Sequence, residues 1–500
     1  MLKINNLTIT THTGRVLLKD FSFNLNNNDK IALIGEEGNG KSTLLKIISG
    51  IDVSDYVSYE GDIICSDRIS YLPQTIEEKY LDLEVLEYIN DDIDYNHLYS
   101  LAIDLNINID LLENRKLKTL SGGEKIKVSL LKILYNYPDI LLLDEPTNDI
   151  DLKSLIWLEE FILNLNIPVL FISHDESLLE RCANGILHLE QLKRKTEAHM
   201  TYSGSTYNEY LKYRTDLINK TNMLAKKEKA EFNKQLDKWR QIYQKVDHAQ
   251  KTITRADPHS GRLLKKKMHA VKSLQRNLDI KKENLTKKYE PEEAINIFFD
   301  DIDINPNKEL LDLSLDELKI NDRLLSKNIH LKVLGKDKIC IIGNNGSGKS
   351  TLIKIIYKIL KDRSDIKLGY MPQNYYEVMD YNLNPIEYLW NKESIKDRIK
   401  IQNYLGALKF KEEEMNHSIA ELSEGQKCKI LLIKMILDKC DVLLIDEATR
   451  NLSPLSNPKV REILNNYSGT IISVSHDRKF INEVVDKVYE LNDNGLKLIS

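Results

Sequence analysis

The 500-residue sequence predicts an α/β protein made of two tandem copies of one domain, joined by a long antiparallel helical hairpin. Three observations predict it. A series of short motifs occurs twice, in the same order, near the two ends of the chain. Within each copy, short apolar runs alternate with helical stretches, the pattern of a mainly parallel sheet with covering helices. Between the copies the periodicity changes to that of long helices with a single apolar seam.

The repeat is explicit. Gly35-Glu-Glu-Gly-Asn-Gly-Lys-Ser42 returns as Gly343-Asn-Asn-Gly-Ser-Gly-Lys-Ser350, and Tyr71-Leu-Pro-Gln74 as Tyr370-Met-Pro-Gln373. Leu120-Ser-Gly-Gly-Glu124 returns as Leu422-Ser-Glu-Gly-Gln426, and Leu141-Leu-Leu-Asp-Glu145 as Leu443-Leu-Ile-Asp-Glu447. Ser173-His-Asp175 returns as Ser475-His-Asp477, so the last three pairs share an offset of 302 residues. The glycine-bounded runs Ile31–Ile34 and Ile339–Ile342 read as buried strands, as do 141–143, 169–172, 442–445 and 471–474.

In the middle, Phe232, Leu236, Trp239, Tyr243 and Val246 form one seam, and Leu264, Met268, Val271, Leu274 and Leu278 a second. Pro258 and Gly261 interrupt helix propagation between them. The expected hairpin has its first helix from about 208 to 249, roughly 60 Å long at ~1.5 Å per residue. Its turn is expected over 250–261, and the expected division is 1–204, 205–300 and 301–500.

Charge separates the hairpin from the rest. The whole chain has a net charge of −5, yet residues 211–290 hold 22 Lys and Arg against 9 Asp and Glu. A basic middle between acidic flanks suits a polyanionic partner, whereas its bland counterpart is a solvated helix surface. No run reaches the ~18 apolar residues of a membrane span, so no membrane domain is expected. Five cysteines without a CxxC pair argue against a disulfide framework or a zinc site, and for a reducing, cytoplasmic setting.

The chemistry lies in the repeated motifs. GxxxxGK[ST] between a strand and a helix is a phosphate-binding loop, in which backbone N–H groups converge at a helix N-terminus. It comprises Gly35, Glu36, Glu37, Gly38, Asn39, Gly40, Lys41, Ser42 and Thr43 in the first copy. In the second it comprises Gly343, Asn344, Asn345, Gly346, Ser347, Gly348, Lys349, Ser350 and Thr351. Lys41 and Lys349 are suited to neutralise the β/γ-phosphates of ATP, and Ser42 and Ser350 to ligate Mg²⁺. Asp144 and Asp446 end apolar strands where a second Mg²⁺-holding carboxylate belongs, and Gln74 and Gln373 offer amide oxygens to the same ion. Glu145 and Glu447 can orient or deprotonate the attacking water, with His174 and His476 beside the γ-phosphate or that water. A lone histidine at a strand end is more often structural; its place in this series reverses that reading.

These motifs, with Leu-Ser-Gly-Gly-Glu among them, resemble the ATP-binding cassette superfamily over both ends of the chain. The resemblance implies two tandem cassette domains of the phosphate-loop NTPase class, with ATP and Mg²⁺ as ligands and ATP hydrolysis as the activity. It also implies that the signature of one cassette covers the nucleotide of the other. Ser121 and Gly123 would then complete the site on Lys349, and Ser423 and Gly425 the site on Lys41. A monomer closing on itself is expected.

Two cassettes joined by a basic hairpin, without a membrane domain, resemble the ABC-F branch. Members bind ribosomes and insert the hairpin from the tRNA exit site toward the peptidyl-transferase centre, so the resemblance implies the bacterial 70S ribosome, with 23S rRNA and P-site tRNA, as the partner here. The short stretches from Gln74 to Ser121 and from Gln373 to Ser423 are similar to those of antibiotic-resistance members, as are the mostly polar hairpin tip and Glu447-Ala-Thr-Arg-Asn-Leu-Ser-Pro454. Those members protect against lincosamides, pleuromutilins and streptogramins A. At the tip the candidates for ribosome contact are Lys251, Ile253, Arg255 and His259, with Lys265, Lys266 and Lys267 beyond it. The alternatives are a housekeeping translation factor of the same branch and the ATPase subunit of a transporter.

The sequence also departs from the family pattern. Ser453 stands opposite Asp151 and Ala448 opposite Pro146. No aromatic residue matches an adenine-stacking position, although His12 lies nearby in the first copy. Glu36 and Glu37 put two carboxylates into the first phosphate loop, tolerable where their side chains face solvent. Unequal rates at the two sites are expected.

Overall fold

The computed structural model describes residues 2–90, 93–192, 197–252, 258–289, 291, 297–320, 323–390, 395–447, 449–450 and 452–499. Each copy is built on a six-stranded sheet. In the first, the spatial order is Ile69–Leu72, Ile140–Asp144, Val169–Ile172, Lys30–Ile34, Gly185–Gln191, Glu197–Ser203. In the second it is Leu368–Met371, Val442–Asp446, Thr470–Val474, Lys338–Ile342, Lys487–Asn492, Gly495–Leu498. Five strands of each sheet pair in parallel and the last joins antiparallel. The apolar runs of the sequence are the central strands, and every residue of Ile140–Asp144, Val169–Ile172, Val442–Asp446 and Thr470–Val474 is buried. Burial on both faces explains why these strands read as continuous apolar runs without alternation. The phosphate loops and the Gln, Asp-Glu and His motifs leave the carboxyl ends of strands of these sheets, where an open α/β sheet forms its binding crevice.

The copies differ in their antiparallel part. In the first, Val16–Leu25, Leu2–Thr11 and Val57–Cys65 form a three-stranded sheet; in the second, among the described residues, Glu309–Ile320 pairs with Arg323–Leu334 alone. Where the first copy has a helix of 8 residues, Lys41–Ile48, and then the third strand, the second extends the helix to 13 residues, Lys349–Lys361. It then goes almost directly into Leu368–Met371.

A helical layer carries each Leu-Ser-x-Gly motif. The helices Gly122–Tyr135 and Glu424–Leu437 each start in a capping box, Ser121 with Glu124 and Ser423 with Gln426. The reciprocal bonds satisfy two orphan N–H donors and fix the entry of the chain into the helix.

Residues Asn208–Pro291 form a unit of their own. It contains the 26-residue helix Pro258–Glu283 and all but the first residue of the 46-residue helix Tyr207–Thr252. Phe232, Val246, Val271 and Leu278 are buried, and the Trp239 indole N–H donates to the Val271 carbonyl at 3.0 Å. Antiparallel pairing continues where the Thr286 N–H donates to Glu228 and the Tyr289 N–H to Asn222. Two expectations change. The second helix already starts at Pro258 and includes Gly261, so the break expected over 250–261 is narrower: a proline in the first turn removes only an N–H that would be unpaired there. Leu274 is 48% exposed, so it is not part of the buried seam. Ile253, Arg255 and Ala448 lie outside the described residues, as does the side chain of His259.

Candidate active sites

Each phosphate loop ends in a left-handed glycine, Gly40 at φ 97° and Gly348 at φ 99°, which turns the chain into the following helix. A β-carbon at Gly348 would lie 2.8 Å from Leu318 and strain a conformation that side chains rarely adopt. Lys41 Nζ donates to the carbonyls of Gly35 and Glu36 at 2.9 and 3.0 Å. Lys349 Nζ does the same to Gly343 and Asn344 at 2.8 and 2.9 Å. Both ammonium groups are thus folded over their own loops, where phosphate oxygens would lie. Burial lowers the pKa of Lys349, opposed by Glu447, Asp151 and Asp446. Asn39 is buried and donates to the Leu189 carbonyl at 3.3 Å.

Asp144 and Asp446 sit at the ends of their strands as expected. Ser42 Oγ donates to Asp144 Oδ1 at 3.0 Å and the Tyr71 hydroxyl to Oδ2 at 2.9 Å. Burial, followed by the adjacent charge of Glu447, pushes Asp446 up to about 6, with Ser350 pulling the other way. A carboxyl that resists ionising alone, beside a serine hydroxyl, fits the hard cation Mg²⁺. Gln74 donates its amide N–H to Glu145 at 2.9 Å, so its carbonyl oxygen can turn to such an ion.

Glu145 and Glu447 both adopt left-handed backbone, at φ 49° and 60°, an uncommon conformation for this residue type that clusters at functional sites. Their surroundings differ. His174 Nε2 lies 2.9 Å from Glu145 Oε1, and Asn148 donates to Oε2 at 2.8 Å. Burial alone would raise Glu145, but the His174 charge and these hydrogen bonds hold it at about 2. In the second copy Arg450 Nη1 reaches Glu447 Oε2 at 3.3 Å, while His476 Nε2 stands 3.9 Å from Oε1. Burial lifts Glu447 despite Arg450, and burial with Lys349 lowers His476 to about 4.

The copies meet across these loops. His174 Nδ1 lies 2.8 Å from the Leu452 carbonyl, and Arg450 Nη2 donates to Asp149 Oδ1 at 2.6 Å. The side-chain amide of Asn345 donates to the Asp149 carbonyl at 2.6 Å, and its backbone N–H lies 3.4 Å from Asp151 Oδ2. Gly122 fits against the same place: a β-carbon there would fall 1.8 Å from the Asp149 carbonyl oxygen and 3.4 Å from the Asn345 amide. The signature containing Ser121 and Gly123 therefore lies against the loop of Lys349. The signature containing Ser423 and Gly425 lies against the loop of Lys41, where the Gly425 N–H donates to Glu37 Oε2 at 2.7 Å.

The two first-loop carboxylates do not face solvent. Glu36 Oε2 accepts from Lys429 at 3.1 Å, and Oε1 accepts from Ser456 at 2.7 Å and from Ser453. Burial would raise Glu36, yet Lys429 and the two serines hold it at about 2. Burial also pushes Glu37 above its ordinary value, against the pull of His174, the Gly425 N–H and Lys41. The loop is acidic because the opposing surface supplies a cation, two hydroxyls and a helix-terminal amide.

A cavity of about 420 Å³ opens on the Lys349 side. Gly346, Gly348, Lys349, Ser350, Thr351 and Gln373 line it, with Glu447 and His476 beside them. Ile320 and Leu325 supply an apolar wall where no aromatic residue was found in the sequence. Around Glu36, Glu37, Ser423 and Gly425 the space is about 40 Å³. Sequence reasoning missed Tyr71 as a carboxylate partner, and Arg450, Lys429 and Ser456 as links between the copies. The missing alignment of Ser453 with Asp151 was the one signal of that exchange. Lys251 pairs with Asp247 at 2.7 Å, and Lys265, Lys266 and Lys267 are exposed on the second long helix.

A protein-family model described as ABC transporter matches residues 18–148 and 326–450. ATP-binding protein Uup of Buchnera aphidicola is 31% identical over 99% of this chain and 81% of its own length. Ribosome protection protein VmlR of Bacillus subtilis is 30% identical, covering 97% and 85%. ABC transporter F family member 2 of Arabidopsis thaliana is 27% identical, covering 99% and 77%. The archaeal ribosome recycling factor aABCE1, solved with ribosomal stalk protein aP1, has the same fold at a TM-score of 0.62 and 16% identity, over 98% of this chain and 89% of that one. Among the described residues no helix is long and apolar enough to cross a membrane. With both halves matched by the family model and relatives alike over nearly the whole chain, this protein belongs to the ATP-binding cassette family, in its F branch, and is an ATPase with two tandem cassettes.

Proposed function

We propose that the protein binds the bacterial 70S ribosome and relieves antibiotics that act at the peptidyl-transferase centre, of the lincosamide, pleuromutilin and streptogramin A type. Its hairpin would enter from the tRNA exit site, beside 23S rRNA and P-site tRNA. The observation that supports this reading is a separate two-helix unit in which 22 basic residues stand against 9 acidic ones over 211–290. Such a surface gains affinity for RNA phosphates by releasing their counterions. A relative named as a ribosome protection protein, alike over almost the whole chain, points the same way. The cytoplasm is the matching location.

In this reading the cassettes time binding and release. Lys41 and Lys349 bind the β/γ-phosphates, and Glu145 and Glu447 orient the attacking water with His174 and His476 alongside. Ser42 with Asp144, and Ser350 with Asp446, would hold Mg²⁺, which neutralises phosphate charge; Gln74 and Gln373 complete the oxygen set. Ser423 and Gly425 receive the γ-phosphate of ATP on Lys41, and Ser121 and Gly123 that of ATP on Lys349. Losing that phosphate removes contacts that hold the closed form. The proposed division of labour follows residues 1–204, 205–300 and 301–500.

A housekeeping translation role is the second reading, favoured by the equal likeness to Uup proteins. Drug susceptibility of a susceptible bacterium with and without this protein separates the two. Resistance supports protection. Unchanged susceptibility, together with co-sedimentation on ribosomes, supports the housekeeping role.

A further inference from the structure

We propose that Glu37 is the residue that sets the two ATP sites apart: its carboxylate occupies the anion-binding amide of Gly425, so that ATP on Lys41 must displace it. The inference rests on the reading that Lys41 binds ATP whose γ-phosphate meets Ser423 and Gly425.

The geometry is that of one anion standing in for another. Gly425 lies in the first turn of the 14-residue helix Glu424–Leu437, whose free N–H groups and dipole favour negative charge. Glu37 Oε2 accepts from the Gly425 N–H at 2.7 Å, a charge-assisted distance. The carboxylate comes from the phosphate loop itself, four residues before Lys41, so it reaches across the space that separates that loop from the opposing signature. Its neighbour Glu36 pins the same loop to Lys429, Ser453 and Ser456. Between them the two side chains tie the first loop to the opposing surface, and the space enclosed by Glu36, Glu37, Ser423 and Gly425 is about 40 Å³.

The second loop offers the contrast within one molecule. At the position of Glu37 it carries Asn345, a neutral side chain whose amide donates to the Asp149 carbonyl at 2.6 Å. The cavity beside it is about 420 Å³, within the range of ~300–1,000 Å³ typical of ligand pockets. ATP at Lys349 meets no carboxylate from its own loop. ATP at Lys41 has to move Glu37 off the helix terminus, because two anions cannot share one amide donor in a partly buried site. ADP has no γ-phosphate and does not compete for that amide. The penalty on the Lys41 site is therefore specific to the triphosphate, and the Lys349 site fills first.

The test is equilibrium binding of ATP and of ADP, each with Mg²⁺, to the full chain carrying Lys349→Ala, which leaves the Lys41 site alone. Glu37→Gln and Glu37→Asn, the second copying the other loop, are compared with Glu37 in that background, with circular dichroism to verify folding. Both substitutions are expected to tighten ATP about tenfold, the scale of one charge-assisted hydrogen bond, while ADP changes less than about twofold. Glu36→Gln is expected not to reproduce this ratio. Equal tightening of ATP and ADP, no tightening in either variant, or the same ATP selectivity from Glu36→Gln would each overturn the role of Glu37. If no Lys349→Ala protein binds ATP while the Lys41→Ala protein does, the reading of Lys41 as an ATP site fails, and this inference falls with it.

Discussion

His174 grips Glu145 at 2.9 Å, whereas the equivalent His476 stands 3.9 Å from Glu447. The first pair is a buried ion pair, with the glutamate ionised and the histidine pKa raised, burial opposing and Glu145 favouring the charged ring. The second histidine is held neutral. Glu447 combines a relaxed histidine with a place on the wall of the 420 Å³ cavity. Glu447→Gln alone is therefore expected to remove more of the steady-state ATP hydrolysis than Glu145→Gln alone. The double substitution should bind ATP normally and lose turnover by roughly 10²-fold or more. Phosphate release assays on the three variants check both statements, and normal multiple turnover in the double variant would end the assignment.

Glu36 makes the contact between the halves sensitive to acid. Its carboxyl is held at about 2 against an ordinary 4.5, burial opposing and Lys429, Ser453 and Ser456 prevailing. A depressed pKa means that the folded state keeps the charge longer than the unfolded chain does. The stabilisation is complete above 4.5 and is lost as pH falls toward 2, on the order of 3 kcal/mol at most. In Glu36→Gln, melting temperature should fall at neutral pH and approach that of the unsubstituted protein below pH 3.

Arg461 and Glu176 join the halves farther from the loops. Arg461 is 3% exposed and forks onto Glu176, itself 4% exposed, at 2.5 and 3.2 Å. Arg461→Met leaves Glu176 buried with Lys479 alone at 3.1 Å, and about 3 kcal/mol of stability should be lost. Adding Glu176→Gln should recover part of it, which a double-mutant cycle in urea would measure.

Ribosome affinity should fall as salt rises, because phosphate contacts release counterions. Neutralising Lys265, Lys266 and Lys267 together should lower the slope of log affinity against log salt by about 2 to 3. Identical slopes in both proteins would make the basic hairpin a solvated spacer.

Deleting residues 252–260, so that Lys251 joins Gly261, tests the proposed action of the tip. Ribosome binding and ATP hydrolysis should persist while translation in the presence of a lincosamide or pleuromutilin is no longer rescued. Retained rescue would put the active element elsewhere, and lost binding would make the tip an anchor.

The parts legible in the sequence are those in which a local conformation demands a residue type. A left-handed Gly348 ahead of Lys349, capping boxes at Ser121 and Ser423, and fully buried parallel strands all leave local patterns. What escaped notice acts across the gap between the copies. Lys429 in its helix and Ser456 at the cap of another look ordinary until Glu36 is seen between them, and Arg450 has meaning only opposite Asp149. The missing third strand of the second copy was readable in principle: the repeat offset falls from 308 at Gly35 to 299 at Gln74. Pro258 was read as an end when it is a beginning, since a proline is as well suited to opening a helix as to stopping one.

The bonds of Glu36 also bear on how the gene for such a protein can evolve. By the 302-residue offset, Ser453 and Lys429 correspond to Asp151 and Lys127. Two first halves brought together would set Glu36 against Asp151, carboxylate to carboxylate, in a place where the natural partner supplies a hydroxyl. Two second halves would offer Lys429 the amide of Asn344 in place of a carboxylate. At this loop each half is matched to its mate and not to a second copy of itself, so the two copies of the duplication are no longer interchangeable there.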